Sequence, residues 1–239
     1  MTKINGIKES SKIVSPIQHS TFFFFSFRNA IPQIDCAFPI CLACNKKKHK
    51  AVKYLLFNET YRSELKKEVD WHGLALSVIK EDWMEDIVAY KKLFLGYNQV
   101  SRLPANMERF ENLVRLELQH NALNSAPAFL FKLPLLSNLN LSFNKIQSIP
   151  LVEYWSKSLT LVDLKGNLLT SFPKNIKAAS VQFLNIAENK FETFPMAVCS
   201  LTSLTALDIS MNKDIRELPT KLGNLSKLVD FTFNGLTVS

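Results

Sequence analysis

From Tyr90 onward the apolar positions fall into one recurring phrase: two apolar residues three apart, a third two later, an asparagine three beyond that, and a further apolar residue. The six copies read YKKLFLGYNQV, LVRLELQHNAL, LSNLNLSFNKI, LTLVDLKGNLL, VQFLNIAENKF and LTALDISMNKD. They begin at Tyr90, Leu113, Leu136, Leu159, Val181 and Leu204, in steps of 23, 23, 23, 22 and 23 residues. Within each copy an alternating pair such as Leu116 and Leu118 predicts a short strand with one face buried. Later apolar residues such as Leu123 and Ala126 fill the space behind it. No single copy buries its own apolar face, so the copies are expected to stack into a solenoid with a parallel sheet along one side.

Two further columns punctuate the pattern. Asn98, Asn121, Asn144, Asn167, Asn189 and Asn212 stand where the chain leaves each strand and turns inward. An amide there supplies both a donor and an acceptor to buried backbone groups, which would otherwise cost about 1–3 kcal/mol each. This column is a structural ladder. Pro104, Pro127, Pro150, Pro173, Pro195 and Pro219 each follow an apolar residue, and proline at a helix start predicts short helical turns on the far side of every coil. At one end VDWHGLALSVIKEDW, residues 69–83, keeps the strand alternation with Leu74 in the asparagine position, the mark of a capping coil. At the other, residues 228–239 begin a further strand without the ladder and without a polar cap. An open apolar end of this kind is expected to be covered by more sequence, which makes the chain a fragment.

The phrase is that of leucine-rich repeats, and the resemblance implies an α/β solenoid over residues 69–239. The expected shape is a horseshoe of about seven coils with a parallel sheet on its concave face. Before it, FPICLACNKKKHKAVKYLL at 38–56 resembles the centre of an ankyrin repeat at Pro39, Ile40, Leu42, Ala43, Val52, Leu55 and Leu56. Cys41, Lys47 and Lys48 replace the usual His, Gly and His, so residues 34–68 are expected to form a degenerate ankyrin-like helical pair or cap. The order of parts, an ankyrin-like pair followed by repeats of the Leu-Pro type, is similar to the middle of the Roco-family leucine-rich-repeat kinases. That resemblance implies a non-catalytic, regulatory protein-binding segment of a cytoplasmic signalling kinase with a GTPase domain. The chain holds no phosphate-binding G-x-x-x-x-G-K-[ST] loop and no kinase motif, so none of that chemistry transfers. A free-standing cytoplasmic scaffold of the Ras-pathway type is the alternative reading, and a secreted or receptor ectodomain the third.

Charge and cysteine content narrow the partners. Residues 1–68 carry 12 Lys+Arg against 5 Asp+Glu, while residues 69–239 carry 17 against 16, so the overall +8 sits almost wholly ahead of the repeats. A solenoid near neutrality offers no footprint for nucleic acid. No run of eighteen uncharged apolar residues argues for membrane insertion. Four cysteines, Cys36, Cys41, Cys44 and Cys199, are too few and too clustered for a disulfide framework and favour a reducing compartment. TFFFFSF at 21–27 is too short for a signal core and lacks a cleavage site, and residues 1–30 read as disordered or as a gene-model artefact. Cys41-x-x-Cys44 and the run KKKHK at 46–50 read as packing and solvated turn, and the sequons at Asn58, Asn140 and Asn224 as silent. The scattered His19, His49, His72 and His120 form no catalytic grouping, so no catalysis, cofactor or metal is expected. Outward strand positions include Lys92, Phe94, Arg115, Glu117, Asn138, Asn140, Asp163, Asn185 and Asp208, with Tyr97, His120 and Phe143 just beyond the strands. Among these, Phe94, Tyr97, Arg115, Glu117, His120, Asn140, Phe143 and Asp163 are the candidate protein-binding residues, because aromatic anchors dominate many interfaces.

Overall fold

The structure, a computed structural model, describes residues 67–237 except positions 86, 175, 178 and 179. Residues 1–30, all but the last two positions of the expected helical pair at 34–68, Cys41 and Cys44, the basic run at 46–50 and the Asn58 sequon lie outside the described residues.

Among the described residues eight three-residue strands form one sheet. They are β1 (Glu68–Asp70), β2 (Lys92–Phe94), β3 (Arg115–Glu117), β4 (Asn138–Asn140), β5 (Leu161–Asp163), β6 (Phe183–Asn185), β7 (Ala206–Asp208) and β8 (Asp230–Thr232). Every strand pairs in parallel with the next in sequence, so seven coils join eight strands without a crossover. Parallel neighbours need a connection of a dozen residues or more, which the repeat length supplies. The register sets like on like: Val69, Leu93, Leu116, Leu139, Val162, Leu184 and Leu207 stand opposite one another and are at most 1% exposed. Trp71, Leu95, Leu118, Leu141, Leu164, Ile186 and Ile209 form a second buried column behind each strand end. Fully burying such a side chain contributes about 1.5–3 kcal/mol.

The first coil is built as the sequence implies. Leu76 and Ile79 are buried, as Val100 is in the next coil, and Trp71 meets Trp83 edge-on at 6.1 Å. Trp83 comes from a short helix, α1 (Glu81–Glu85), whose Glu81 and Asp82 complement its N-terminal dipole.

The far side of the coils departs from expectation in two places. Pro104, Pro127, Pro195 and Pro219 do cap 3₁₀ turns, at Ala105–Arg109, Ala128–Phe131, Met196–Ser200 and Thr220–Asn224. Among the described residues no such turn follows Pro150 or Pro173. There Tyr154 and Lys177 form an isolated parallel bridge in which the Trp155 N–H donates to the Lys177 carbonyl and the Lys177 N–H to the Glu153 carbonyl, both at 3.1 Å. The reason is length and bulk. The coil that begins at Leu159 has 22 residues, and extended chain advances about 3.3 Å per residue against about 2.0 Å in a 3₁₀ turn. Trp155 fills the space a turn would occupy, with its ring 4.6 Å from Phe131 and 6.1 Å from Phe172. A second local difference lies after Asn212. One extra residue, the exposed Asp214, is looped out, so Ile215 rather than Asp214 takes the buried position of the phrase.

Candidate protein-binding face

The asparagine ladder fixes the geometry just beyond each strand. In Asn144 the side-chain Nδ2 donates to the carbonyls of Leu141 (3.0 Å) and of Leu118 in the coil before (2.9 Å), while Oδ1 accepts the Leu123 N–H at 3.0 Å. Asn98, Asn121, Asn167, Asn189 and Asn212 repeat the same three bonds, each to its own coil and to the preceding one. All six are buried.

To present the amide inward, the residue just before it turns left-handed. Gly73, Tyr97, His120, Phe143, Gly166, Glu188, Met211 and Gly235 form one column, one after each of the eight strands, all with φ between 52° and 72°. Left-handed backbone costs a non-glycine residue roughly 1–2 kcal/mol. Five coils bear that cost, and it throws their side chains out beside the sheet. Tyr97 and Phe143 are exposed, and the rings stack: Tyr97 to His120 at 4.3 Å, His120 to Phe143 at 4.5 Å and 9° from parallel. His72 extends the stack, tilted against Tyr97 at 4.8 Å. At the other end Phe143 lies over Gly166, where an added Cβ would come within 2.6 Å of the ring, and the Lys165 ammonium stands 5.7 Å from the ring centroid. The result is a four-ring ladder along the solenoid, closed by a glycine and a cation.

The sheet face beside the ladder divides in two. On β2 and β3 charges are neutralised locally: Lys92 pairs with Glu68, and Arg115 binds Glu117 at 2.7 Å while its guanidinium lies 5.7 Å over the Phe94 ring. Asn140 donates to the other Glu117 oxygen at 2.9 Å. Glu117 is thereby buried at a position the alternation sends outward. On β5 to β7 the outward residues are Leu161, Phe183 and Ala206 in one column and Asp163, Asn185 and Asp208 in the other.

The acidic column also has a local task. Asp70, Asn140, Asp163, Asn185 and Asp208 each accept, through Oδ1, the backbone N–H two residues on, at 2.9–3.0 Å. Burial pushes the Asp163 carboxyl above its ordinary range, and the charges of Glu117 and Asp208 push the same way, against the opposing Lys165 N–H and ammonium. Elsewhere Cys199 sits in the Met196–Ser200 turn as a buried packing residue whose thiol is pushed up by burial. Among the described residues no group of three or more His, Cys, Asp or Glu stands together to hold a metal, and no helix is long and apolar enough to cross a membrane.

With the parallel strands, the repeat register and the amide ladder in place, the architecture is decided. The fold is a leucine-rich-repeat solenoid. No protein-family model matches the chain. Among solved structures it is similar to a leucine-rich-repeat protein of Leptospira interrogans, at 23% identity and a TM-score of 0.43, over 66% of this chain and 52% of that one. It is also similar to the functional domain of InlJ from Listeria monocytogenes, which includes a cysteine ladder, at 20% identity and a TM-score of 0.47, over 72% of this chain and 31% of that one. The chain thus spans about half or less of each of these two structures.

The solenoid brings the sequence-derived candidates together as two adjoining strips. Phe94, Arg115, Glu117, Asn140 and Asp163 lie on the strands, and Tyr97, His120 and Phe143 on the left-handed column. Sequence reasoning left out His72, which joins the ring ladder from one position upstream, and Leu161 and Phe183, whose strands are apolar on both faces. The second omission had a signal: L-V-D and F-L-N break the apolar–polar alternation that R-L-E and N-L-N keep.

Proposed function

We propose that the chain is a non-catalytic protein-interaction module that binds its partner through the strand face and the ring ladder beside it. The observation that carries this reading is the left-handed column. Glycine stands in it three times, so the fold accepts glycine there, yet Tyr97 and Phe143 hold exposed rings, with the half-buried His120 stacked between them, at a backbone cost. Rigid aromatic side chains on a continuous strip are the composition from which interface hot spots are made. We place the module in the cytoplasm, as the regulatory repeat segment of a larger signalling kinase with a GTPase domain. That context rests on the order of segments in the sequence and on the cysteine content.

The test is a partner selected on the full chain and then titrated against variants. Tyr97→Ala with Phe143→Ala should weaken binding at least tenfold, and Met196→Ala, an exposed position on the back of the solenoid, should leave it unchanged. The reverse pattern would move the interface to the back and sink the reading.

A further inference from the structure

The strand face over β5 to β7 combines three features. Leu161, Phe183 and Ala206 are apolar and half-buried at positions that in β2 to β4 are Lys92, Arg115 and Asn138. Asp163 and Asp208 flank them, two strands apart, which at about 4.8 Å per strand sets the carboxylates roughly 10 Å from each other. Among the described residues neither aspartate has an ion-pair partner, since Lys165 is bound to Glu188 at 3.1 Å and the other cations of the face are paired on β2 and β3.

The fold does not require these charges. The strand-end turn they make is made equally by Asn140 and Asn185, which accept the same N–H at the same 3.0 Å without a charge. Two carboxylates that lack an ion-pair partner among the described residues, beside an apolar strip, are complementary to a cationic partner with apolar side chains. They repel nucleic acid and anionic lipid alike.

We propose that this face docks a basic segment of a partner protein, with two cationic side chains about 10 Å apart on Asp163 and Asp208 and intervening apolar side chains on Leu161, Phe183 and Ala206. The inference rests on the interaction-module reading and adds the partner's chemistry to it. The raised proton affinity of Asp163 is consistent with a charge waiting for a counterion. A docked Lys or Arg would lower it.

The experiment is selection of a random 12-residue peptide library on the full chain, followed by titration of the synthetic winners. The expected pool is enriched in Arg and Lys with Leu, Ile or Phe between them. Its binding should fall at least tenfold in Asp163→Asn with Asp208→Asn and at high salt, and stay within twofold in Asp70→Asn, which has the same turn on β1. Asparagine preserves the turn, and thermal unfolding recorded alongside confirms that the variants are folded. A pool without cationic enrichment, or one indifferent to the double variant, overturns the proposal. A dimer of the chain itself that dissociates in the double variant would assign the face to a second copy and also overturns it. Winners lost in Tyr97→Ala with Phe143→Ala but kept in the aspartate variant would leave the module reading standing and remove this one. Winners indifferent to both variants would remove both.

Discussion

Asp163 and Asn185 are neighbours in one column and make the same turn, so the comparison between them isolates what a charge costs at this place. The folded-state pKa of Asp163 is raised, chiefly by burial. Its contribution to stability is therefore fully present below the unfolded value and is lost as pH rises through the folded one. Asp163→Asn should be more stable than the parent at neutral pH, and the difference should shrink as pH falls toward the carboxylate range. Unfolding midpoints across that range check it, and a neutral-pH loss of stability would show that the charge is paired after all. Tyr97 allows a second comparison at this scale. Replacing it with Gly removes about 1–2 kcal/mol of left-handed strain and two ring contacts, to His72 and His120, of about 0.5–1.5 kcal/mol each. These terms nearly cancel, so Tyr97→Gly should unfold within about 1 kcal/mol of the parent while partner binding falls at least tenfold. Gly166→Ala has no such offset. Its φ is 65° and its Cβ would meet Phe143 at 2.6 Å, so it should lose about 1–2 kcal/mol and displace the Phe143 ring, a change readable by NMR of the aromatic protons.

At the scale of the element, the strand, the amide ladder and the following turn act as one unit repeated along the chain. Asn144→Leu keeps the size of the side chain and orphans the Leu123 N–H, while the Leu118 and Leu141 carbonyls each keep one amide donor, from Asn121 and Asn167. At about 1–3 kcal/mol for an unsatisfied buried group, the loss should be about 1–3 kcal/mol in denaturant unfolding. The strands and the ladder were legible because they obey a period. Leu116, Leu139 and Val162 must face inward in register, and an asparagine must follow at a fixed distance. The back of the coils was less legible because it answers only to the need to return the chain to the next strand. Proline at 150 and 173 gives the same start as at 104 and 127, but with a bulky Trp155 and a coil of 22 residues the described chain holds a Tyr154–Lys177 bridge where two 3₁₀ turns were expected. The side chains of the candidate face were legible in position but not in pairing. Alternation placed Glu117 outward, whereas the Arg115 and Asn140 side chains that cover it belong to contacts within and between coils. His72 escaped for a related reason: its ring reaches diagonally to Tyr97, so repeat register alone does not align them.

For the molecule as a whole, a solenoid distributes stability along one dimension, each coil leaning on its neighbours. Leu139 sits on β4, fully buried between coils on both sides, and Leu139→Ala should cost about 2–5 kcal/mol. The same architecture sets neutralised charges, stacked rings and an acidic, apolar strip side by side along the described strands, and that face is where we propose binding. The most direct measurement is site-specific photo-crosslinking of the full chain in cell extract, with the reactive side chain at Tyr97 on the ladder or at Met196 on the back. A discrete partner adduct at Tyr97, absent at Met196, is the expected result. A partner captured at Met196 with no adduct at Tyr97 would contradict the assignment.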